Sequence, residues 1–252
     1  MRMANRSDVG LIRMVNEDRA AAIPDYNGYS LAIVADGMGG HQAGDTASQM
    51  AIETVQEQLQ AALKPGMDGQ ARADAIEQAV LMANKRIYEE AMSKEHLKGM
   101  GTTVVVAVAD PTDLVIGNIG DSRAYLFDPE GMKQLTEDHS FVNALVKSGQ
   151  LSQEEADQHP RRNFLTRALG TDEEVAVDIV HRTWREHDIV MLCSDGLSGA
   201  VPQHRMESIL QSDIDLNDKA QQLIDEALKA GGDDNITVVL LENESMTAQE
   251  TR

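Results

Sequence analysis

Four aspartate positions stand where an apolar run meets a turn. Asp36 follows Leu31 to Ala35, Asp121 follows Leu114 to Ile119 and Gly120, and Asp195 follows Ile189 to Cys193 and Ser194. The pair Asp233 and Asp234 precedes Asn235 and the run Ile236 to Leu241. A carboxylate delivered at a strand end suits a hard cation such as Mn²⁺ or Mg²⁺, and Gly37 lets the backbone turn its own carbonyl toward the same ion. Taken singly, Asp-Gly is an ordinary turn signal. Taken together, carboxylates from distant segments would repel one another and resist burial unless a cation neutralises them, so their convergence implies metal if the strands are neighbours. All-oxygen ligands point to Mn²⁺ or Mg²⁺, and the seven histidines show no close zinc-like pairing.

The elements that must carry these residues follow from pattern. The apolar runs are short, small and mostly branched, which predicts strands buried on both faces. Further strands are expected over Thr102 to Ala109, Arg123 to Phe127, Val175 to Val180 and Asp188 to Cys193, with Asp110 to Asp113 as a hairpin turn. Ser7 to Asp18 reads as a short strand and then a charged loop, with the adjacent Glu17 and Asp18 on different faces. Helices are expected over Ala43 to Leu63, Ala71 to Met92, Thr136 to Gly149, Ser152 to His159, Pro202 to Leu210 and Leu216 to Ala230. Ser152 with Glu155 forms a capping-box pattern, and Gly231-Gly232 supplies a helix stop. Many strands joined by short turns favour antiparallel sheets in an α+β protein over a doubly wound parallel sheet.

Six motifs occur in order: R-x-x-N-E-D at Arg13 to Asp18, D-G-M-G-G-H at Asp36 to His41, G-T-T at Gly101 to Thr103, G-D-S-R at Gly120 to Arg123, S-D-G at Ser194 to Gly196 and G-x-D-N-I-T at Gly232 to Thr237. The series resembles the PPM family of metal-dependent serine/threonine protein phosphatases, the type 2C phosphatases, in its compact bacterial form. Each motif alone is weak; six in the family's order are specific. The resemblance implies a four-layer α-β-β-α sandwich of two antiparallel sheets flanked by helix pairs, with a small mobile flap at roughly 138–167. It implies two Mn²⁺ or Mg²⁺ ions bridged by Asp36 and completed by the Gly37 carbonyl, Asp195 and Asp234, with Asp121 beside Asp195 as ligand to a third, weaker ion. By the same resemblance Arg13 grips phosphate oxygens, Asp18 acts in catalysis by holding water on the ions from one layer behind them, and Asn235 stands in that same outer layer. The implied reaction is hydrolysis of phosphoserine and phosphothreonine by in-line attack of water, without a covalent intermediate. The proton donor to the leaving group stays open: many relatives have histidine directly after Asp-Gly, whereas here Met38 takes that place and His41 follows Gly39-Gly40. His41 is a candidate general acid, water on the ions is another, and His41 could serve only to touch substrate. Implied partners are phosphorylated proteins and a cognate serine/threonine kinase. Arg161, Arg162 and Arg167 in the flap could engage a phosphoprotein or be ordinary solvated charge. A cysteine-nucleophile phosphatase is set aside, because the position six beyond Cys193 holds Gly199 rather than a phosphate-cradling arginine. A non-catalytic relative that regulates a phosphoprotein would be expected to lack a metal aspartate, and none is missing.

Composition sets the outer bounds. With 252 residues and no linker-like stretch, one catalytic domain over 1–241 is expected, followed by a polar, disordered tail over 242–252. Only 3% of residues are aromatic within a 42% hydrophobic fraction, so aliphatic side chains and methionine must fill the core. A formal net charge of −20 excludes a nucleic-acid partner and opposes the approach of any phosphorylated substrate. The site must therefore be locally positive, through divalent ions and arginine, while a Debye length of about 8 Å hides much of the remaining acidic surface. No run approaches the roughly 20 apolar residues of a membrane span. The N-terminus lacks an apolar leader, and a single cysteine suits a reducing compartment, so a cytoplasmic monomer is expected.

Overall fold

Successive side chains on the central strands reach two different cores. On β3 (Tyr29–Met38), Leu31 and Ile33 pack toward helices while Ala32 and Val34 point into a second, inter-sheet core. The same division holds on β5 (Val104–Ala109), where Val104, Val106 and Val108 take the helix side and Val105 and Ala107 the sheet side. Two further strands repeat it toward the opposite helices. On β10 (Ile189–Cys193), Met191 and Cys193 face helices and Val190 and Leu192 face the other sheet; on β11 (Ile236–Glu242), Val238 and Leu240 alternate in this way with Val239 and Leu241. Period-two alternation with both faces apolar is what a sheet needs when it is covered on both sides. The result is the expected four-layer sandwich.

The computed structural model describes residues 1–39 and 43–244. One sheet runs β2 (Asp18–Tyr26), β3, β5, β6 (Asp113–Ile119) and β9 (Asp178–Thr183), with β4 (Gly101–Thr102) pairing the end of β3. The other runs β1 (Arg2–Asp8), β11, β10, β7 (Arg123–Asp128) and β8 (Gly131–Gln134). The pairings are antiparallel. Helices α1 (Ala43–Ala62) and α2 (Gly69–Ser93) cover the first sheet. Two shorter helices, α3 (Phe141–Lys147) and α4 (Gln153–Asp157), lie outside the sandwich, and of their residues only Ala156 is buried. The second sheet is covered by α5 (Asp195–Ser198), α6 (Gln203–Gln211) and α7 (Leu216–Lys229). Aliphatic residues fill all three cores, each fully covered Leu, Ile or Val contributing about 1.5–3 kcal/mol of transfer free energy. Among the described residues no helix is long and apolar enough to cross a membrane.

Several expectations are corrected. Asp36 does not end its strand in a flexible turn: β3 continues through Met38, with Gly37 opposite Thr102 and Met38 opposite Gly101. Three strands went wholly or largely unread: β1 runs from Arg2 to Asp8, so the strand expected from Ser7 is only its last two residues and Val9 to Glu17 is loop. The Ala20 to Ala22 run and Pro24 gave β2 little strand signature, and β8 is only four residues long. Gly120 to Arg123, whose composition is that of a short turn between neighbouring strands, instead crosses from one sheet to the other, because β6 and β7 belong to different sheets. The strand expected at Val175 to Val180 forms at Asp178–Thr183, where its partner β6 lies. The helix expected from Thr136 begins at Phe141, because the Ser140 side chain accepts from the Asn143 N–H and caps it. The tail does not start at 242: Glu242 pairs with Arg2 and Ile189, and Asn243 is buried with its side-chain amide donating to the Pro111 carbonyl.

Candidate metal centre

Asp36 is fixed by the G-T-T motif. Its N–H donates to Thr103 Oγ1 at 3.0 Å, and its carbonyl accepts from the Thr103 N–H at 2.9 Å and the Thr102 hydroxyl at 2.8 Å. Thr103 Oγ1 also bonds the Ser122 hydroxyl at 2.7 Å, which couples this anchor to the residue after Asp121. Across the β2–β3 ladder Asp18 sits opposite Asp36. Asp18 is 2% exposed, and its Oδ2 accepts from the Ser194 hydroxyl at 2.7 Å; Ser194 Oγ in turn accepts from the Thr237 N–H. Through Ser194 the two sheets are tied together behind the site.

Asp195 and Asp234 arrive from the second sheet. Gly196 makes their approach feasible, since a Cβ there would lie 2.0 Å from the Asn235 carbonyl oxygen. Gly37 answers a similar demand: a Cβ would stand 2.1 Å from the Gly44 carbonyl oxygen, so glycine is required by close packing against α1 and not by turn geometry. The resulting cleft, of about 220 Å³, is lined by Asp36, Gly37, Asp121, Asp195, Asp234 and Asn235 together with Arg13 and Glu17. Arg13 donates to Asp234 Oδ2 at 2.7 Å. Asn235 spends every side-chain polar atom on the same neighbourhood: Nδ2 donates to the carbonyls of Val9 at 2.9 Å and Val15 at 3.0 Å, and Oδ1 accepts from the Glu17 N–H at 2.7 Å.

The electrostatics are those of crowded acids. Burial, then the neighbouring Asp18, Asp195, Asp121 and Asp234 carboxylates, hold the Asp36 carboxyl well above its usual range. Burial drives Asp18 up to about 7, with Asp195 and Asp234 adding to it and the Ser194 and Thr237 hydrogen bonds opposing. Asp121 is pushed up to about 8 by burial, Asp195 and Asp138, against the opposing pull of Arg123. Asp195 is raised by burial and Asp234. Two carboxylate oxygens, Asp18 Oδ1 and Glu17 Oε1, are buried without a hydrogen-bond partner. The Glu17 carboxylate lies against the Gly44 and Asp45 backbone at the start of α1, whereas the unpartnered Asp18 oxygen stands behind a cleft full of oxygen ligands, an arrangement that fits a hard divalent cation able to remove the repulsion. Among the described residues, however, no three acidic, histidine or cysteine groups already surround one point at coordination distance. Asp234 is instead drawn to Arg13.

Of the residues singled out from sequence, Arg13, Asp36, Gly37, Asp121, Asp195, Asp234 and Asn235 line one cleft, and Asp18 lies directly behind Asp36. His41 falls outside the described residues. Arg167 is an ion-pair partner of Asp178 at 2.6 Å and donates to the Ala176 carbonyl at 3.0 Å, so it is not ordinary solvated charge. Sequence reasoning missed Glu17, Thr103, Ser122 and Ser194 as members of the site. Each lies within a quoted motif next to an aspartate or its anchor, which was the available signal.

Comparison with known proteins agrees with the geometry. A family profile described as protein phosphatase 2C matches residues 13–239. The serine/threonine phosphatase stp of Listeria innocua is 42% identical over 96% of this chain and 95% of its own length. The serine/threonine phosphatase Stp1 of Staphylococcus aureus superposes with a TM-score of 0.91 at 33% identity, covering 96% of this chain and 95% of that one. A structure of the catalytic domain of the serine threonine protein phosphatase PstP in complex with 2 manganese ions gives 0.84 at 36% identity, over 96% and 97% of the two chains. With two antiparallel sheets bringing the aspartates of four separate motifs to one cleft, and with relatives matching nearly end to end, the chain belongs to the protein phosphatase 2C family.

Proposed function

We propose that this chain is a divalent-cation-dependent protein phosphatase that hydrolyses phosphoserine and phosphothreonine in proteins and opposes a serine/threonine kinase, acting as one catalytic unit that extends through β11 to Asn243. The observation that carries this reading is the convergence of Asp36, Asp121, Asp195 and Asp234 on the cleft that also holds Arg13. Asp36, the Gly37 carbonyl, Asp195 and Asp234 would hold two Mn²⁺ or Mg²⁺ ions, and Asp121 with Asp195 a third. When bound, such ions lower the pKa of an incoming water and neutralise phosphoryl oxygens. The chain's own residues do the positioning. Thr102 and Thr103 hold the Asp36 backbone from both sides, so the carboxylate is aimed before substrate arrives. Asp18, opposite Asp36 on the β2–β3 ladder and bonded by the Ser194 hydroxyl, would hold water on the ions from behind the ligands. Arg13 stands at the rim with its guanidinium on Asp234, from which it can extend two N–H donors to a phosphate. The same arginine gives the acidic molecule a local cation where an anionic substrate must enter.

The test is release of phosphate from a phosphothreonine peptide by the purified chain with Mn²⁺, with a chelator, and with Asp36→Asn. Turnover that requires Mn²⁺ and is lost in the variant is expected. Turnover that persists in chelator, or in Asp36→Asn, would overturn the metal assignment; none under any condition would overturn the activity.

A further inference from the structure

Five of the seven large apolar side chains exposed among the described residues lie on two segments at the mouth of the cleft. Leu11, Ile12, Met14 and Val15 flank Arg13 on the loop between β1 and β2, with Met14 95% exposed and Leu11 and Ile12 67% each. Phe164, 59% exposed, sits in the flap between Asn163 and Leu165, both of which line the cleft. The apolar loop is held in place. Asn235 grips its two ends at Val9 and Val15, the Leu11 N–H donates to the Gly232 carbonyl at 2.7 Å, and Arg13 is tied to Asp234. The flap leaves and returns at one neck, where Ser140 pairs with Leu165 and the Phe141 N–H donates to the Phe164 carbonyl at 2.7 Å. The Arg161 guanidinium lies over the Phe164 ring at 5.8 Å. An anchored backbone that keeps several large apolar side chains in water is the usual mark of a binding surface.

We propose that these two segments form apolar lips that read the residues beside the phosphorylated one, selecting substrate proteins whose phosphoserine or phosphothreonine is flanked by aliphatic or aromatic side chains. The inference rests on the phosphatase reading above. A phosphorylated side chain seated against Arg13 places its chain neighbours over Leu11, Ile12 and Met14 on one side and Phe164 on the other. Apolar contact is indifferent to charge, so it supplies affinity where a net charge of −20 opposes an anionic substrate. Discrimination of this kind falls in the binding of the flanking residues and therefore in KM.

The experiment compares kcat/KM for two phosphothreonine peptides, one with Leu and Ile flanking the phosphothreonine and one with Ser and Gly, in the wild-type chain, in Leu11→Ser/Ile12→Ser/Met14→Ser, and in Met92→Ser on α2 as an exposed-methionine control. p-Nitrophenyl phosphate, which has no flanking residues, reports the cleft itself. The wild type and Met92→Ser are expected to favour the apolar peptide by about tenfold, carried by KM, and the triple variant to lose most of that ratio. Because the ratio is taken within each protein, a general loss of activity cancels. Equal use of the two peptides by the wild type, with p-nitrophenyl phosphate still hydrolysed, would overturn the lips and leave the phosphatase reading standing. Failure to hydrolyse p-nitrophenyl phosphate as well would bring down both. A triple variant that keeps the ratio but changes its sedimentation from dimer to monomer would also overturn the proposal, identifying the surface as a contact between copies of the chain.

Discussion

Chelation should make this protein less stable as pH rises. Asp18 is 2% exposed, and its carboxyl is moved from 3.8 to about 7 by burial and by the acids around it. Between those values the folded chain holds a proton that the unfolded chain has released, so stability falls with increasing pH through this window and is level again above it. At about 1.4 kcal/mol for each pH unit, ionising Asp18 in the fold costs on the order of 4 kcal/mol, of which more than half, about 3 kcal/mol, falls between pH 5 and pH 8. For a protein of this size that is a fall in Tm of roughly 5–10 °C. The assay is thermal unfolding in a chelator at pH 5 and pH 8, in 1 M salt, where a Debye length of about 3 Å suppresses the general repulsion of a chain at −20. Adding Mn²⁺ should restore most of the loss at pH 8 and little at pH 5, since the ion takes over from the proton. The Asp18→Asn variant keeps an acceptor for Ser194 and loses the titration, so under chelation it should be more stable than wild type at pH 8 and not at pH 5. A wild-type Tm at pH 8 equal to or above that at pH 5, or the same pH slope in Asp18→Asn, would refute the reasoning.

Three other outcomes follow from packing. Arg72, 1% exposed, pairs with Asp110 at 3.0 Å and Asp113 at 3.4 Å beneath the Tyr29 ring, and Arg72→Met should cost about 2–3 kcal/mol in denaturant unfolding. That lies below the 3–5 kcal/mol of a fully buried broken pair because both aspartates are part-exposed and can rehydrate. Gly196→Ala sets a Cβ at 2.0 Å from the Asn235 carbonyl oxygen, so Asp195 and Asp234 must part; Mn²⁺ titration of activity should show apparent affinity weakened at least tenfold. Asn235→Ala frees both ends of the Arg13 loop and Glu17, losing three hydrogen bonds worth about 2–3 kcal/mol together, with a larger rise in KM than fall in kcat on a phosphopeptide.

How far the sequence reached depended on whether a residue's task was local. Strands such as Ile33 to Ala35 and Val238 to Leu240 announce themselves because burial on both faces demands unbroken apolar runs. β2 does not, since its place at the sheet edge asks little of Ala20 to Ala22, and the crossover at Gly120 to Arg123 has the same composition as a hairpin turn. In the site, the aspartates were legible through their motifs, whereas Ser194 and Thr103 became visible only once the fold set each beside a partner far away in the chain. The Asp36-Gly37 pair misled for a related reason: a glycine required by the nearness of Gly44 looks, in one dimension, like a glycine required by a turn.

The position of the acids also says what the cation must do for the fold. Asp18 and Asp36 belong to one sheet, while Asp195 and Asp234 lie next to strands of the other, so the cleft opens at the seam between the sheets. At that end the Ser194 hydroxyl joins the second sheet to Asp18 of the first, whereas elsewhere the seam is filled by Ala32, Val34, Leu192 and Val239. Apolar burial holds the sheets together over most of their area, and carboxylate repulsion pushes them apart at one edge. A divalent ion bound by acids from both sheets would turn that repulsive edge into a cross-link. Catalytic competence and closure of the seam would then depend on the same ligands, and loss of the ion should open this edge before the helix-covered faces unfold.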